Sequence, residues 1–276
     1  AFAMIGGVIG VHTGLILASN NESEVASVLG HEIAHVTQRH LPRMIAQQKN
    51  DSIRTVLGIA LALLVARANP QLSAGTMTAA SAMGVQKQLD YTRDHEKEAD
   101  RVGFQILTDA GFDGRSMVSF FNTLQRGSRF SEGAAPSFLR THPITADRIS
   151  DISNRVKESR YKQIPDNPDF MFIKSKLRAM NNTPQSAVET FEGSLKDKRY
   201  INEGAERYGL AIAYMRKNDF IKARQEIDWL KVNVKKNALI ETLACKFEVS
   251  TNQPIQALNF YLKALNIYPN YRALIY

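Results

Sequence analysis

The pattern of apolar and polar positions predicts a chain that is helical over most of its length. The best specified helix covers residues 22 to about 42, because Asn21 followed by Glu24 has the spacing of a capping box. Its apolar face consists of residues that recur at intervals of three and four, namely Ala26, Leu29, Ile33 and Val36. The same spacing predicts further helices over 115–125, 145–158, 170–180 and 186–195.

Extended structure is predicted only near the start of the chain. Residues 8–12 and 15–17 read as two short strands with a turn at 13–14. Much later, residues 127–137 contain Gly, Ser and Pro and predict a loop. The overall expectation is a mainly α fold with a small sheet.

One segment, residues 55–66, is apolar on every side and lies between Arg54 and Arg67. It is too short to cross a bilayer, which takes about 20 residues. Two interpretations stay open. The segment is a helix buried in a core, or it touches a membrane surface because it has no polar face to turn towards water.

A domain boundary is predicted at residues 161–169, which contain two prolines. It separates a first domain over 1–163 from a second over 168–276. We expect the second to be cut short at its C-terminal end, because the last six residues look like the start of another helix.

The second domain has an internal repeat. Ala211 and Cys245 are 34 residues apart, and so are Ala223 and Ala257. This is the length of a tetratricopeptide repeat, a pair of helices that small residues allow to pack closely. The period predicts an α-solenoid, with 170–195 as a degenerate first pair, and a concave face for peptides or partner proteins.

Composition and charge narrow the class of protein. The 276 residues are 44% hydrophobic and 22% charged, which is ordinary for a globular protein. The net charge of +8 is spread along the chain without a nucleic-acid motif, so no nucleic-acid partner is expected. Cys245 is the single cysteine and cannot form an intramolecular disulfide. The chain starts at Ala1 without Met, so we expect a targeting segment to have been removed.

The candidate chemistry starts at His31-Glu32-Ile33-Ala34-His35. Two histidines four apart project from one face of a helix and can bind one Zn²⁺. Glu32 lies between them, where it can act as a base without being a ligand. The alternative interpretation is an exposed helix with two ordinary histidines.

A hydrolytic zinc site needs a third protein ligand. One class of zincins takes a histidine ten residues after the first, but that position holds Leu41. His40 comes one residue too early and would point about 140° away from His35 on a continuous helix, so we interpret it as structural. Glu96 and Asp100, four apart on a later helix, are therefore predicted as third ligand and as the carboxylate that orients a ligand histidine.

Taken together, the HExxH motif, the Glu96–Asp100 pair and His142-Pro143 with Arg148 resemble the gluzincin metalloproteases of the CAAX-prenyl-protease-like family. The resemblance covers about residues 1–160 and implies an α+β zincin-like protease domain with one zinc ion per chain. It implies that His142 stabilises the tetrahedral intermediate or caps the zinc at rest, with Arg148 as an orienting or charge-stabilising partner. It also implies that an edge strand pairs with the substrate backbone, through Gly7, Val8, Ile9, Gly10 and Val11.

The zincin-like domain and the predicted repeats together resemble periplasmic members of this family in Gram-negative bacteria. This resemblance implies a zinc-dependent endopeptidase that degrades misfolded or stalled outer-membrane proteins. Its implied partners are the β-barrel assembly machinery and the lipopolysaccharide-export barrel. The alternative function is a chaperone or scaffold for barrel assembly with a self-inhibited zinc site. An intramembrane prenyl-type protease is disfavoured because no segment is long enough to span a bilayer.

Overall fold

The computed structural model describes residues 1–49, 56–57, 92–130, 137–159 and 164–271. Over these ranges the chain is mainly α, as predicted, with one two-stranded sheet. It forms two compact units, Ala1–Pro165 and Asp166–Tyr276. No helix among these residues is both long enough and apolar enough to pass through a membrane.

Unit 1 is a small sheet followed by helices. The antiparallel strands β1 and β2 pair Phe2 with Gly10 and Ala3 with Ile9. In chain order, the elements are β1 (Phe2–Ala3), β2 (Ile9–Gly10), α1 (Thr13–Ala18), α2 (Glu22–Thr37), α3 (40–49), α4 (92–109), α5 (Arg115–Phe130), α6 (Ser137–Thr141) and α7 (Ala146–Glu158).

The start of the chain differs from the prediction. Residues 15–17 are not a strand but lie in α1, which His12 caps by accepting a hydrogen bond from the Gly14 amide at Nδ1. The predicted strand over 8–12 shortens to Ile9–Gly10, because its partner β1 is only two residues long. The apolar run of 15–17 was therefore a poor guide to its secondary structure.

Two helix ends were also predicted wrongly. The helix expected to reach residue 42 ends at Thr37, and Arg39 adopts a positive φ of 54° before α3 begins. The loop expected from residue 127 is helical up to Phe130, where α5 ends. The rest of the predicted loop, over 131–136, lies outside the described residues.

The apolar segment 55–66 lies outside the described residues except for Val56 and Leu57. These two are helical, with 66% and 58% of their surfaces exposed. Neither interpretation of the segment is decided by them.

Two glycines set the distance between α2 and α4. A Cβ on Gly30 would lie 2.8 Å from the Gly103 carbonyl oxygen, and a Cβ on Gly103 would lie 2.9 Å from the Cα and amide nitrogen of His31. Both contacts are with backbone, which cannot move aside like a flexible side chain. The lack of a side chain at Gly103 thus allows α4 to approach α2 closely, directly beside His31.

Substituting Gly103 by Ala is expected to lower the free energy of unfolding by about 1–3 kcal/mol, the usual cost of overpacking. Separating α2 from α4 would also move His31 away from the α4 carboxylates. Urea unfolding measures the first effect. Gly127→Ala is the matched control, since a Cβ there meets nothing within 4 Å in helix α5. Equal stability of the two variants would contradict the close-approach argument.

Unit 1 is held together by apolar side chains from the helices that carry the site. The main cluster buries side chains of α4, α5 and α7, namely Phe104, Leu107, Met117, Phe121 and Ile152. A second cluster joins α1, α2 and α5 through Leu15, Val28 and Phe120. The functional helices are therefore fixed by packing independently of any bound group.

Unit 2 consists of helices in consecutive packed pairs. In chain order they are α8 (Asp169–Asn181), α9 (Pro184–Lys196), α10 (Glu203–Arg216), α11 (Phe220–Asn233), α12 (Ala238–Ser250) and α13 (Pro254–Ile267). Helix α10 packs on α11, and α12 packs on α13. The four residues at the 34-residue interval are all buried, namely Ala211, Cys245, Ala223 and Ala257. The assignment of these pairs as tetratricopeptide repeats stays a prediction.

Candidate metal centre

The two histidines of the HExxH motif face each other on α2. Their Nε2 atoms are 3.0 Å apart. Glu96 of α4 approaches both of them, with Oε2 3.5 Å from His31 Nε2 and Oε1 3.4 Å from His35 Nε2. The structure thus brings together the three residues predicted as metal ligands. With His142, they form a group whose ligand atoms all lie within 4.8 Å of one another.

The chemistry of this donor set fits a zinc ion. Three imidazole nitrogens and one carboxylate are the ligand types that Zn²⁺ prefers. Burial opposes a charge on His31, but the carboxylates of Asp100 and Glu96 outweigh it and raise the pKa of the ring to about 9. Burial likewise opposes ionisation of Glu96, yet hydrogen bonds from His142, His31 and His35 hold its pKa well below the usual range. Glu96 is therefore held as an anion beside His31, whose ring favours a positive charge.

Glu32 is a buried acid of the site whose carboxylate accepts no hydrogen bond from the described residues. Its side chain is fully buried. The Nε2 atom of His142 lies 3.7 Å from Glu32 Oε1. Because a buried carboxylate without hydrogen bonds is costly, its position suits a group that must receive a proton rather than one that stabilises the fold.

Asp100 and Arg148 contact the candidate ligands His31 and Glu96 without belonging to the ligand group. The Nδ1 atom of His31 lies 2.9 Å from Asp100 Oδ1, so its Nε2 is the atom left to face the cluster. Arg148 donates from Nε and Nη2 to the two Asp100 oxygens, at 2.6 and 2.8 Å. Its Nη1 lies 2.9 Å from Glu96 Oε2 and also donates to the Pro143 carbonyl. Asp100 thus stands where the sequence predicted, and Arg148 ties α7 to both α4 carboxylates.

His142 follows α6 and lies within the cluster. Its Nδ1 is 2.9 Å from Glu96 Oε1 and 3.3 Å from His31 Nε2. Its ring stacks on Phe138, with centroids 4.7 Å apart. This position is compatible with both implied roles, because one ring nitrogen faces the ligands and the other faces Glu32.

His40 is a site residue whose position the sequence did not reveal. Instead of pointing away from His35, its Nδ1 lies 2.8 Å from His35 Nδ1. The predicted direction was wrong because the helix breaks at Arg39, which turns the next residue back towards α2. Its Nε2 lies 3.1 Å from Glu98 Oε2 on α4. Pro42 is the residue that signals this break, because proline has no N–H to donate to the Gln38 carbonyl four residues back.

The predicted substrate strand lies beside α2 rather than within the ligand cluster. A Cβ on Gly7 would be 3.7 Å from Val36 Cγ1. Val8 and Val11 are exposed, and in this stretch only Ile9 and Gly10 pair with β1. Pairing with a substrate backbone stays a prediction for Gly7–Val11.

Comparison with known proteins points to one family. Residues 1–156 match the model of peptidase family M48. The β-barrel assembly-enhancing protease of Escherichia coli K12 is 32% identical, over 98% of this chain and 55% of that protein. The protein of the same name from Yersinia pestis is 30% identical, over 94% of this chain and 53% of its own length. Metalloprotease YcaL of E. coli K12 is 29% identical over 58% of the chain and 59% of its own length.

The match agrees with the motifs on which the resemblance was based. The chain spans about half the length of the β-barrel assembly-enhancing proteases that it matches. The matched region contains every residue of the candidate metal centre. The chain therefore belongs to peptidase family M48, a family of metalloproteases.

Proposed function

We propose that this chain hydrolyses peptide bonds with a zinc ion held by His31, His35 and Glu96. The observation that carries the proposal is the convergence of these three ligand atoms with His142, whose other ring nitrogen lies 3.7 Å from the carboxylate of Glu32. When bound, zinc would polarise the scissile carbonyl and lower the pKa of water from about 16 to about 7.

The chain's own residues supply the proton transfers and the positioning. Glu32 accepts a proton from the attacking water and passes it to the leaving amine. Asp100, held by Arg148, fixes the ring of His31 so that Nε2 faces the cluster. The exposed strand segment Gly7–Val11 would pair with an extended substrate, which places the scissile bond beside α2.

The biological substrates that we propose are misfolded or stalled outer-membrane proteins in the periplasm of a Gram-negative bacterium. The support is the name of the relatives, which are β-barrel assembly-enhancing proteases. Unit 2 would bind the substrate, the β-barrel assembly machinery or the lipopolysaccharide-export barrel. The paired helices of that unit support a binding role, since stacked helix pairs present an extended surface.

A second candidate function is a chaperone or scaffold whose metal site is self-inhibited. The observation in its favour is the position of His142, which lies close enough to share a metal ion with the three ligands. A fourth protein ligand would fill the position that a hydrolytic site keeps open. We propose that His142 caps the site at rest and that the cap leaves during turnover.

Substituting His142 by Ala is expected to raise casein cleavage several-fold while zinc content stays at one per chain. The reason is that removing a cap increases the fraction of molecules competent to bind substrate. Casein digestion and metal analysis of the same preparations measure both quantities. Thr141→Ala, an exposed neighbour, is the matched control.

The other outcomes assign different functions. A large loss of cleavage with zinc retained would make His142 a stabiliser of the transition state. If wild type and variant both hold zinc and neither cuts casein, the scaffold function is favoured over the protease. If wild type holds no zinc, the proposed metal site is wrong.

A further inference from the structure

His40 is built into the metal centre without belonging to its ligands. It is buried at the start of α3, between His35 on one side and α4 on the other. Its ring stacks on His95 of α4, with centroids 4.3 Å apart and an interplanar angle of 10°. This stacking fixes the plane of the ring, so that its two nitrogens have defined directions.

The hydrogen bonds around His40 have one consistent direction. In His35, Nε2 faces His31 and Glu96, so a ligand lone pair at Nε2 leaves the ring proton on Nδ1. Among the described residues, the group in reach of that proton is His40 Nδ1, 2.8 Å away. His40 then carries its own proton on Nε2 and donates it to Glu98 Oε2 at 3.1 Å. Arg43 Nη1 donates to the same oxygen at 3.0 Å.

The two histidines of the HExxH motif are thus supported in parallel ways. His31 is backed by Asp100, which Arg148 holds. His35 is backed through His40 by Glu98, which Arg43 holds. Each arrangement ends in a carboxylate fixed by an arginine, and a carboxylate behind a histidine fixes its orientation and strengthens it as a ligand.

We propose that His40 is a positioning residue for the metal centre, which accepts a hydrogen bond from His35 Nδ1 and transmits the support of Glu98 to that ligand. The inference rests on the proposed metal site. It adds that the site depends on a histidine outside the ligand set, on a helix that begins after the break at Arg39.

The test measures zinc affinity of the whole chain by competition with a chelator. His40→Leu removes the acceptor and is expected to weaken zinc binding roughly 10–100-fold, the usual effect of losing such support. His40→Asn should recover part of the affinity, because its side-chain oxygen stands near the place of Nδ1 and can accept the same hydrogen bond. Urea unfolding of the metal-free proteins shows whether the fold itself has changed.

A second pair of variants avoids the buried position. Glu98 is 38% exposed, so its substitution is compatible with folding. Glu98→Ala should weaken zinc binding several-fold, whereas Glu98→Gln, whose carbonyl can still accept from His40, should stay closer to wild type.

Each outcome decides the inference. Wild-type affinity in both His40→Leu and Glu98→Ala would overturn it, and so would an equal loss in His40→Leu and His40→Asn with the metal-free fold intact. If His40→Leu does not fold, the Glu98 pair decides. If wild type binds no zinc, the proposed metal site is wrong and this inference falls with it. If wild type binds zinc and the variants bind it as tightly, only the role of His40 is wrong. The two failures are therefore distinguishable.

Discussion

Substituting Glu32 by Gln is expected to abolish casein cleavage while leaving one zinc ion per chain. The amide has the size and shape of the carboxylate but cannot accept the proton of the attacking water. Removing a general base typically costs about 10²- to 10⁴-fold in rate. Metal content should not change, because Glu32 is not among the residues whose ligand atoms converge.

The comparison needs metal analysis and casein digestion of the same preparations. Glu22→Gln is a suitable control, since Glu22 lies on the same helix α2 but in its first turn, far from the HExxH histidines in sequence. Substantial residual cleavage by Glu32→Gln would remove Glu32 as the base. Loss of zinc together with activity would instead assign Glu32 to the ligand set.

The stability of the Glu32→Gln variant is an independent test of the role of Glu32. The carboxylate is fully buried without a hydrogen-bond partner among the described residues, so it costs free energy in the metal-free fold. A neutral amide should cost less, and metal-free Glu32→Gln is expected to unfold at a urea concentration no lower than that of wild type. This is the pattern of a residue retained for chemistry at the expense of stability.

The ligands could be predicted from the sequence because their arrangement is largely local. His31 and His35 share a helix face whatever else the chain does. Glu96 could be predicted because the pair Glu96 and Asp100 repeats the same spacing on another helix. The fold class could be predicted for the same reason, since helical periodicity is a local signal.

The position of His40 could not be predicted in this way. It depends on a positive φ at Arg39, which arginine does not signal, although Pro42 indicates that the helix cannot continue unbroken past Gln38. A similar limit applies to residues 15–17, whose apolar run fits a short strand or a short helix equally well. The features that were predicted wrongly are therefore places where the chain changes direction. One of them, the break at Arg39, brings His40 next to the candidate ligand His35.

Substituting Glu96 by Ala is expected to reduce zinc content from one per chain to a small fraction and to abolish cleavage. Glu96 supplies the only carboxylate among the converging ligands of the described chain, and two histidines alone do not make a zinc site of the usual kind. The side chain also pairs with Arg148 and accepts a hydrogen bond from His142. Its removal leaves the buried guanidinium with one carboxylate partner fewer, which costs up to about 3–5 kcal/mol when a buried pair is broken.

Two comparisons separate loss of the ligand from loss of the fold. Glu96→Gln keeps the size of the side chain and an oxygen that can accept from Arg148, so it should unfold closer to wild type yet still bind zinc weakly. Asp94→Ala removes an exposed carboxylate from the same helix α4 and should keep both zinc and activity. Because His31 and His35 stay in place in all three variants, any difference in zinc content reports on the α4 carboxylate. Stoichiometric zinc in folded Glu96→Ala would show that the ion is held by other groups, and the mechanism would then have to be built around a different ligand set.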